Sequence, residues 1–189
     1  IHIGEVSGEI YNTYHIFSKQ TWRVSEDGEI RDLFKNLYKV FQMDEFSFFS
    51  HYGNVSTQNK DLSFCEYFKS VYQDLLTKIP KEIPFGNIWT AQQLHTILPK
   101  HSVLHVSIFN SLRSWNFFEL GDSIRTSCNV GGFGIDGSLS TILGASLANL
   151  DKIHFCVIGD LAFFYDMNAL GNRHLGKNIR ILLVNNGVG

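Results

Sequence analysis

A chain of 189 residues, 44% of them apolar, can bury one good core or one core and part of a second, since domains typically run to ~100–200 residues. Its 16 basic residues stand against 18 acidic ones, a formal charge of −2, so no long-range field gathers nucleic acid or an anionic membrane, and neither is expected as a partner. No apolar run approaches the roughly 20 residues that span a bilayer, and Cys65, Cys128 and Cys156, odd in number and without a CxxC, point to reduced core thiols in a cytoplasmic protein.

In chain order, Trp22–Val24 reads as a strand, Ser25-Glu26-Asp27-Gly28 as a turn and Tyr38–Phe41 as a second strand before an aromatic-rich helix. The polar stretch Asn54–Asp61 reads as a linker. Phe64, Tyr67, Phe68, Val71, Leu75 and Leu76 then recur at helical spacing. After Pro80 and Pro84 the pattern alternates: a helix near Thr90–Leu98, a strand near Val103–Ile108, a helix near Leu112–Leu120 and a strand before Asn129. A glycine-rich loop leads to a helix over Ser138–Leu150, followed by a strand over Ile153–Ile158, a helix over Phe163–His174 and a strand over Ile179–Val184. Alternating strands and helices predict an α/β fold, a parallel sheet with helices on both faces. The chain opens without an initiator methionine and closes where an apolar strand runs into the polar loop Asn185-Asn186-Gly187, so both ends are expected to continue in a longer protein.

The chemistry concentrates at two strand ends. Asp160 and the pair Asn185-Asn186 each follow a predicted strand, and one helix joins the two strands. A right-handed crossover then makes these ends neighbours on the sheet edge where ligands bind. A carboxylate, an asparagine oxygen and a backbone carbonyl in the loop beyond form a hard oxygen set suited to Mg²⁺, which keeps its other positions for water and phosphate oxygens. Gly131, Gly132 and Gly134 let the backbone approach an anion, and the helix after Asp136 offers its positive N-terminal end.

These residues resemble the thiamin diphosphate enzymes, whose cofactor motif opens on Gly-Asp, here Gly159-Asp160, and closes on Asn-Asn, here Asn185-Asn186. Within that superfamily the chain is most similar to the SEPHCHC synthases, carboligases of menaquinone biosynthesis. The similarity runs through Asn129-x-Gly131-x-x-Gly134-Ile135-Asp136-Gly137-x-x-Ser140-Thr141 and Gly159-Asp160-Leu161-x-x-x-x-Asp166-x-Asn168. The resemblance implies the thiamin diphosphate-binding fold over residues 86–189, cut at its C-terminal end, preceded by a linker and helix over 57–85 and the end of a middle domain over 1–56. It implies Asp160, Asn186 and the Val188 carbonyl as Mg²⁺ ligands. Ile135 would be the wedge under the cofactor, the Phe133 carbonyl would receive the cofactor's amino group, and Gly134 between them would also contact the cofactor. Gly159 and the amides of Leu161 and Ala162 would face the diphosphate, and Asn110-Ser111 would line the site.

The implied reaction decarboxylates a 2-oxo acid and transfers the resulting carbanion equivalent to an acceptor. Val130 and Trp115 stand where SEPHCHC synthases typically carry arginine, which implies a divergent substrate pocket. The family's catalytic glutamate sits on a pyrimidine-binding domain, usually of a partner subunit, and no segment here looks like that domain. Residues 1–189 alone are therefore expected to be inactive, and the intact enzyme to be a homodimer or homotetramer.

Other readings stay open. Gly132-x-Gly134-x-x-Gly137 also fits the GxGxxG of a Rossmann NAD site, with Asp160 as its ribose-binding acid. The chain could also be a cofactor-binding or interaction subunit without its own glutamate. Gly-Asp and Asn-Asn could each be ordinary loop residues. Asp136 reads equally as a helix cap and as a functional group. Asp166 and Asn168 read as structural, and Trp115, Phe117 and Phe118 as core. His101 and His105 are four apart, but strand entry between them argues against a zinc site.

Overall fold

The computed structural model describes residues 1–4, 18–53, 62–130 and 134–187. The predicted linker Asn54–Asp61, Gly131, Gly132, Phe133 and Val188 lie outside them. The chain divides into two compact units, Ile1–Gln73 and Asp74–Gly189.

The first unit holds a parallel sheet in the order β1 (His2–Ile3), β2 (Thr21–Ser25), β3 (Leu37–Gln42), followed by α1 (Glu45–Tyr52). The predicted strands and the turn between them are present. Asp27 builds that turn by accepting from the Ser25 hydroxyl and the Glu29 amide, both at 2.8 Å, and these bonds hold its carboxyl below the usual range. Val24, Phe41 and Phe48 form the core, with the two phenyl rings edge to face at 5.0 Å. Asp44 caps α1 by accepting from the Ser47 amide at 2.8 Å. The helix α2 (Ser63–Thr77) crosses the boundary between the units, and none of its residues is buried. Cys65 on this helix is exposed, which corrects its assignment to the core; Cys156 is buried and Cys128 half-buried.

The second unit is built on a four-stranded parallel sheet in the order β5-β4-β6-β7, with β4 at Val103–Val106, β5 at Arg125–Cys128, β6 at His154–Gly159 and β7 at Ile179–Val184. Side chains alternate across a strand, so the interior strands feed two cores. Leu104, Val106 and Val157 pack on one face with Ala91 of α3 (Asn87–Leu94) and Trp115 of α4 (Asn110–Trp115). Cys156 and Ile158 pack on the other with Leu139 and Ile142 of α5 (Ser138–Ala148) and Ala162 of α6 (Asp160–Asp166). Helices therefore cover both faces, as the alternation predicts. Among the described residues no helix is long and apolar enough to cross a membrane.

Three helices start before their predicted bounds, and α5 ends at Ala148 rather than Leu150. α3 starts at Asn87 rather than near Thr90, and α4 at Asn110 rather than near Leu112, ending at Trp115. α6 starts at Asp160 rather than Phe163 and gives way at Met167–Gly171 to a 3-10 turn. Trp115 is core and Phe118 packs against it, whereas Phe117 is 47% exposed and is not a core residue.

Candidate functional site

The ends of β6 and β7 are in register, Gly159 against Val184, so Asp160 and the loop Asn185-Asn186 leave the sheet side by side. They open into a cavity of about 180 Å³ lined by Asn110 and Ser111 from α4, Ile135 from the glycine-rich loop, Gly159 to Ala162 at the β6–α6 junction, and Asn186. Eight of the residues singled out from the sequence are thus brought together. Gly134 is described but does not line the cavity, and Phe133 and Val188 fall outside the described residues.

The two asparagines after β7 differ. Asn185 Oδ1 accepts from the Gly187 amide at 3.1 Å and so shapes its own loop, while Asn186 lines the cavity. Asp160 Oδ1 accepts from the Leu161 amide at 2.8 Å. Among the described residues, and apart from its two chain neighbours, no heavy atom lies within 4 Å of where a Cβ on Gly159 would stand, so the glycine leaves the approach between the strand ends open. Ile135 is half-buried and also packs against the core cluster of Leu139, Ile142, Cys156, Ile158 and Ala162, so it forms a braced wall.

Residues on either side of the glycine-rich loop are bonded to each other. Asn129 Nδ2 donates to the Gly137 carbonyl at 3.1 Å and to the Thr141 hydroxyl at 2.9 Å. Gly137, at φ 79°, is the residue from which α5 starts, and no side-chain hydrogen bond caps the helix from that position. Asp136 was one candidate for that cap. The structure gives the first turn of α5 to Asp166, which accepts from the Ser140 amide at 2.7 Å and the Ser140 hydroxyl at 2.6 Å. This is the structural role expected of Asp166. Ser107 and Ser138, both buried, share a hydrogen bond at 2.6 Å that joins the end of β4 to the start of α5.

Asn87, Ser107, Ile108, Phe109 and Val184 also line the cavity and were not singled out from the sequence. Ser107 had a signal, a hydroxyl directly after the apolar strand Val103–Val106. Asn87 had none, because its position at the cavity follows from where α3 packs. His101 is exposed, whereas His105 is buried and its Nδ1 lies 2.8 Å from Ser127 Oγ. Burial pushes the His105 pKa below the ordinary histidine value and the buried Cys156 thiol up to about 12.

Strand order bears on the dinucleotide reading. In a Rossmann site the acid that binds the ribose lies at the end of the strand next to the one that carries the glycine turn. Here the glycine-rich loop follows β5 and Asp160 follows β6, with β4 between them.

No family model matches the chain. Curated relatives do. The chain is 39% identical over 173 residues to the 2-succinyl-5-enolpyruvyl-6-hydroxy-3-cyclohexene-1-carboxylate synthase (SEPHCHC synthase) of Bacteroides fragilis, an alignment covering 90% of this chain and 30% of that protein. It is 36% identical over 201 residues to the protein of the same name from Bacteroides thetaiotaomicron, covering 98% of this chain and 35% of that one. With that of Christiangramia forsetii it shares 41% over 108 residues, 57% of this chain and 18% of the relative. The chain spans about a third of the length of the first two.

Proposed function

We propose that residues 86–189 form the diphosphate- and Mg²⁺-binding domain of a thiamin diphosphate-dependent enzyme of the SEPHCHC synthase kind, with residues 1–56 as the end of a middle domain and 57–85 as the linker and helix between them. The observation that carries this reading is the gathering of Asp160, Asn186, Ile135, Asn110 and Ser111 around one cavity at the ends of β4, β6 and β7. Relatives named SEPHCHC synthase that align with 90% or more of the chain add to it.

The residues present fit the group. A carboxylate and an amide oxygen side by side at paired strand ends are hard donors of the kind Mg²⁺ takes. The cavity of about 180 Å³ is below the ~300–1,000 Å³ of a complete small-molecule site, which suits a diphosphate and its metal with the rest of the cofactor held elsewhere. In this reading Asp160 and Asn186, with the Val188 carbonyl, hold the metal. The Leu161 and Ala162 amides would face the diphosphate; the Leu161 amide donates to Asp160 Oδ1 in the chain itself. Gly159 keeps the approach to the strand ends clear, and Ile135, braced by the core beneath it, supports the bend of the cofactor.

Bound there, thiamin diphosphate supplies the electron sink for decarboxylating a 2-oxo acid and passing the remaining carbon unit to an acceptor. Val130, 45% exposed beside the glycine-rich loop, and Trp115, 6% exposed in the core, offer no charge to an acidic substrate. The substrate pocket therefore diverges from one that holds carboxylates with arginine. The catalytic glutamate belongs to a separate pyrimidine-binding domain, so the intact protein acts as a homodimer or homotetramer, in the cytoplasm.

Titration of the intact protein with thiamin diphosphate, with and without Mg²⁺ and with NAD as comparison, tests this. Binding should require the metal, and Asp160→Ala should abolish it. Tight NAD binding without metal, or unchanged cofactor binding in Asp160→Ala, would overturn the assignment.

A further inference from the structure

Three described residues other than glycine have positive φ: Lys35, His101 and Phe109. Lys35 and His101 are exposed and do not line the cavity; Phe109 does. Its φ of 67° comes with ψ of −118°, outside the left-handed helical well near ψ +47° and close to the first central position of a type II′ turn, which favours glycine. A bulky residue persists there only when its surroundings over-determine it.

The surroundings do so on both sides. Before the turn, the Ser107 amide donates to the Val157 carbonyl at 2.8 Å, the Ser107 hydroxyl is bonded to that of Ser138, and Ile108 is buried. After it, the Leu112 amide donates to the Ser107 carbonyl at 3.0 Å and the Arg113 amide to the Phe109 carbonyl at 2.8 Å, while Ser111, Ser114 and Trp115 are buried. The Phe109 ring is half-buried, with the Arg113 guanidinium 5.7 Å from its centre. The next two residues, Asn110 and Ser111, line the cavity that Asp160 and Asn186 share.

We propose that Phe109 is a positioning residue for the cofactor cavity: its strained turn, held from both flanks and by its ring against Arg113, aims Asn110 and Ser111 into the site. The effect on ligand binding rests on reading the cavity as the thiamin diphosphate site; the effect on the turn does not. A glycine at this position would take up the same φ and ψ without strain but would not hold the turn there, since it has other conformations to visit.

The test compares Phe109→Gly with Phe109→Ala in the intact protein, since both remove the ring and only glycine removes the strain. The glycine variant should melt above the alanine variant, the reverse of the usual order. Its amides at 110–112 should exchange with deuterium faster, and its affinity for thiamin diphosphate with Mg²⁺ should be weaker by roughly tenfold, as a displaced positioning group would cause. Phe109→Tyr, which keeps ring and strain, should match the parent in all three. A glycine variant that melts below the alanine variant would remove the strain from the argument. Equal exchange at 110–112 in the two variants would show that the turn positions nothing. If the parent fails to bind the cofactor, the cofactor reading falls, and the melting and exchange order still decides the role of Phe109.

Discussion

The carboxylate of Asp166 reaches from the last turn of α6 to the first turn of α5 and takes both the amide and the hydroxyl of Ser140. Free helix N-terminal amides need such a partner, and losing a cap costs about 0.5–2 kcal/mol. Asp166→Ala should lower stability by about 1–2 kcal/mol in chemical denaturation. Ser140→Ala should then add little on top of it, since the two residues share one interaction. His105 governs a different response. Burial depresses its folded-state pKa, so the folded chain keeps the ring neutral while the unfolded chain takes up the proton first as pH falls. Its contribution is complete above the ordinary value of 6.5 and declines below it toward the folded-state pKa. Melting temperatures measured from about pH 7 down to about 5.5 should fall, and His105→Gln should flatten that slope. An equal slope in parent and variant would assign the dependence to other groups. Cys156, paired across the sheet with His105, stays protonated throughout, its thiol pushed up to about 12 by burial and by Asp166.

At the scale of elements, α5 depends on how it begins. Gly137 carries φ 79°, and a Cβ there would come within 3.3 Å of Asn129 Nδ2, the group that bonds the Gly137 carbonyl and Thr141. Gly137→Ala should cost about 1–2 kcal/mol through the left-handed backbone alone. It should also weaken cofactor binding by moving Ile135, and a stability equal to the parent would show that the turn is not held at that φ. The helices α3, α4 and α6 share a feature: each begins two or three residues before the apolar run that announces it. The added first turns contribute Asn87, Asn110 with Ser111, and Asp160 with Leu161 and Ala162 to the cavity lining. A periodic apolar pattern reports only the face turned to a core. A first turn facing a cavity at the sheet edge carries no such pattern, so the boundaries went unread where the site residues stand.

For the whole molecule, the proposed function predicts divided activity. Residues 1–189 expressed alone should show no turnover of a 2-oxo acid, checked beside a circular dichroism spectrum that establishes folding, whereas the intact protein should turn it over. Turnover by the short chain would place the activating group within it. The α/β class, every strand of the second unit and the pairing of the Gly-Asp and Asn-Asn strand ends were legible in the sequence, because apolar runs of strand length and handed crossovers leave few alternatives. The division of labour between Asn185 and Asn186, the cap supplied by Asp166, the exposure of Cys65 and Phe117, and the strained turn at Phe109 came only with the folded chain. Each depends on which partner a side chain meets across the fold, and the distances that decide this are set by packing between elements that local sequence does not encode.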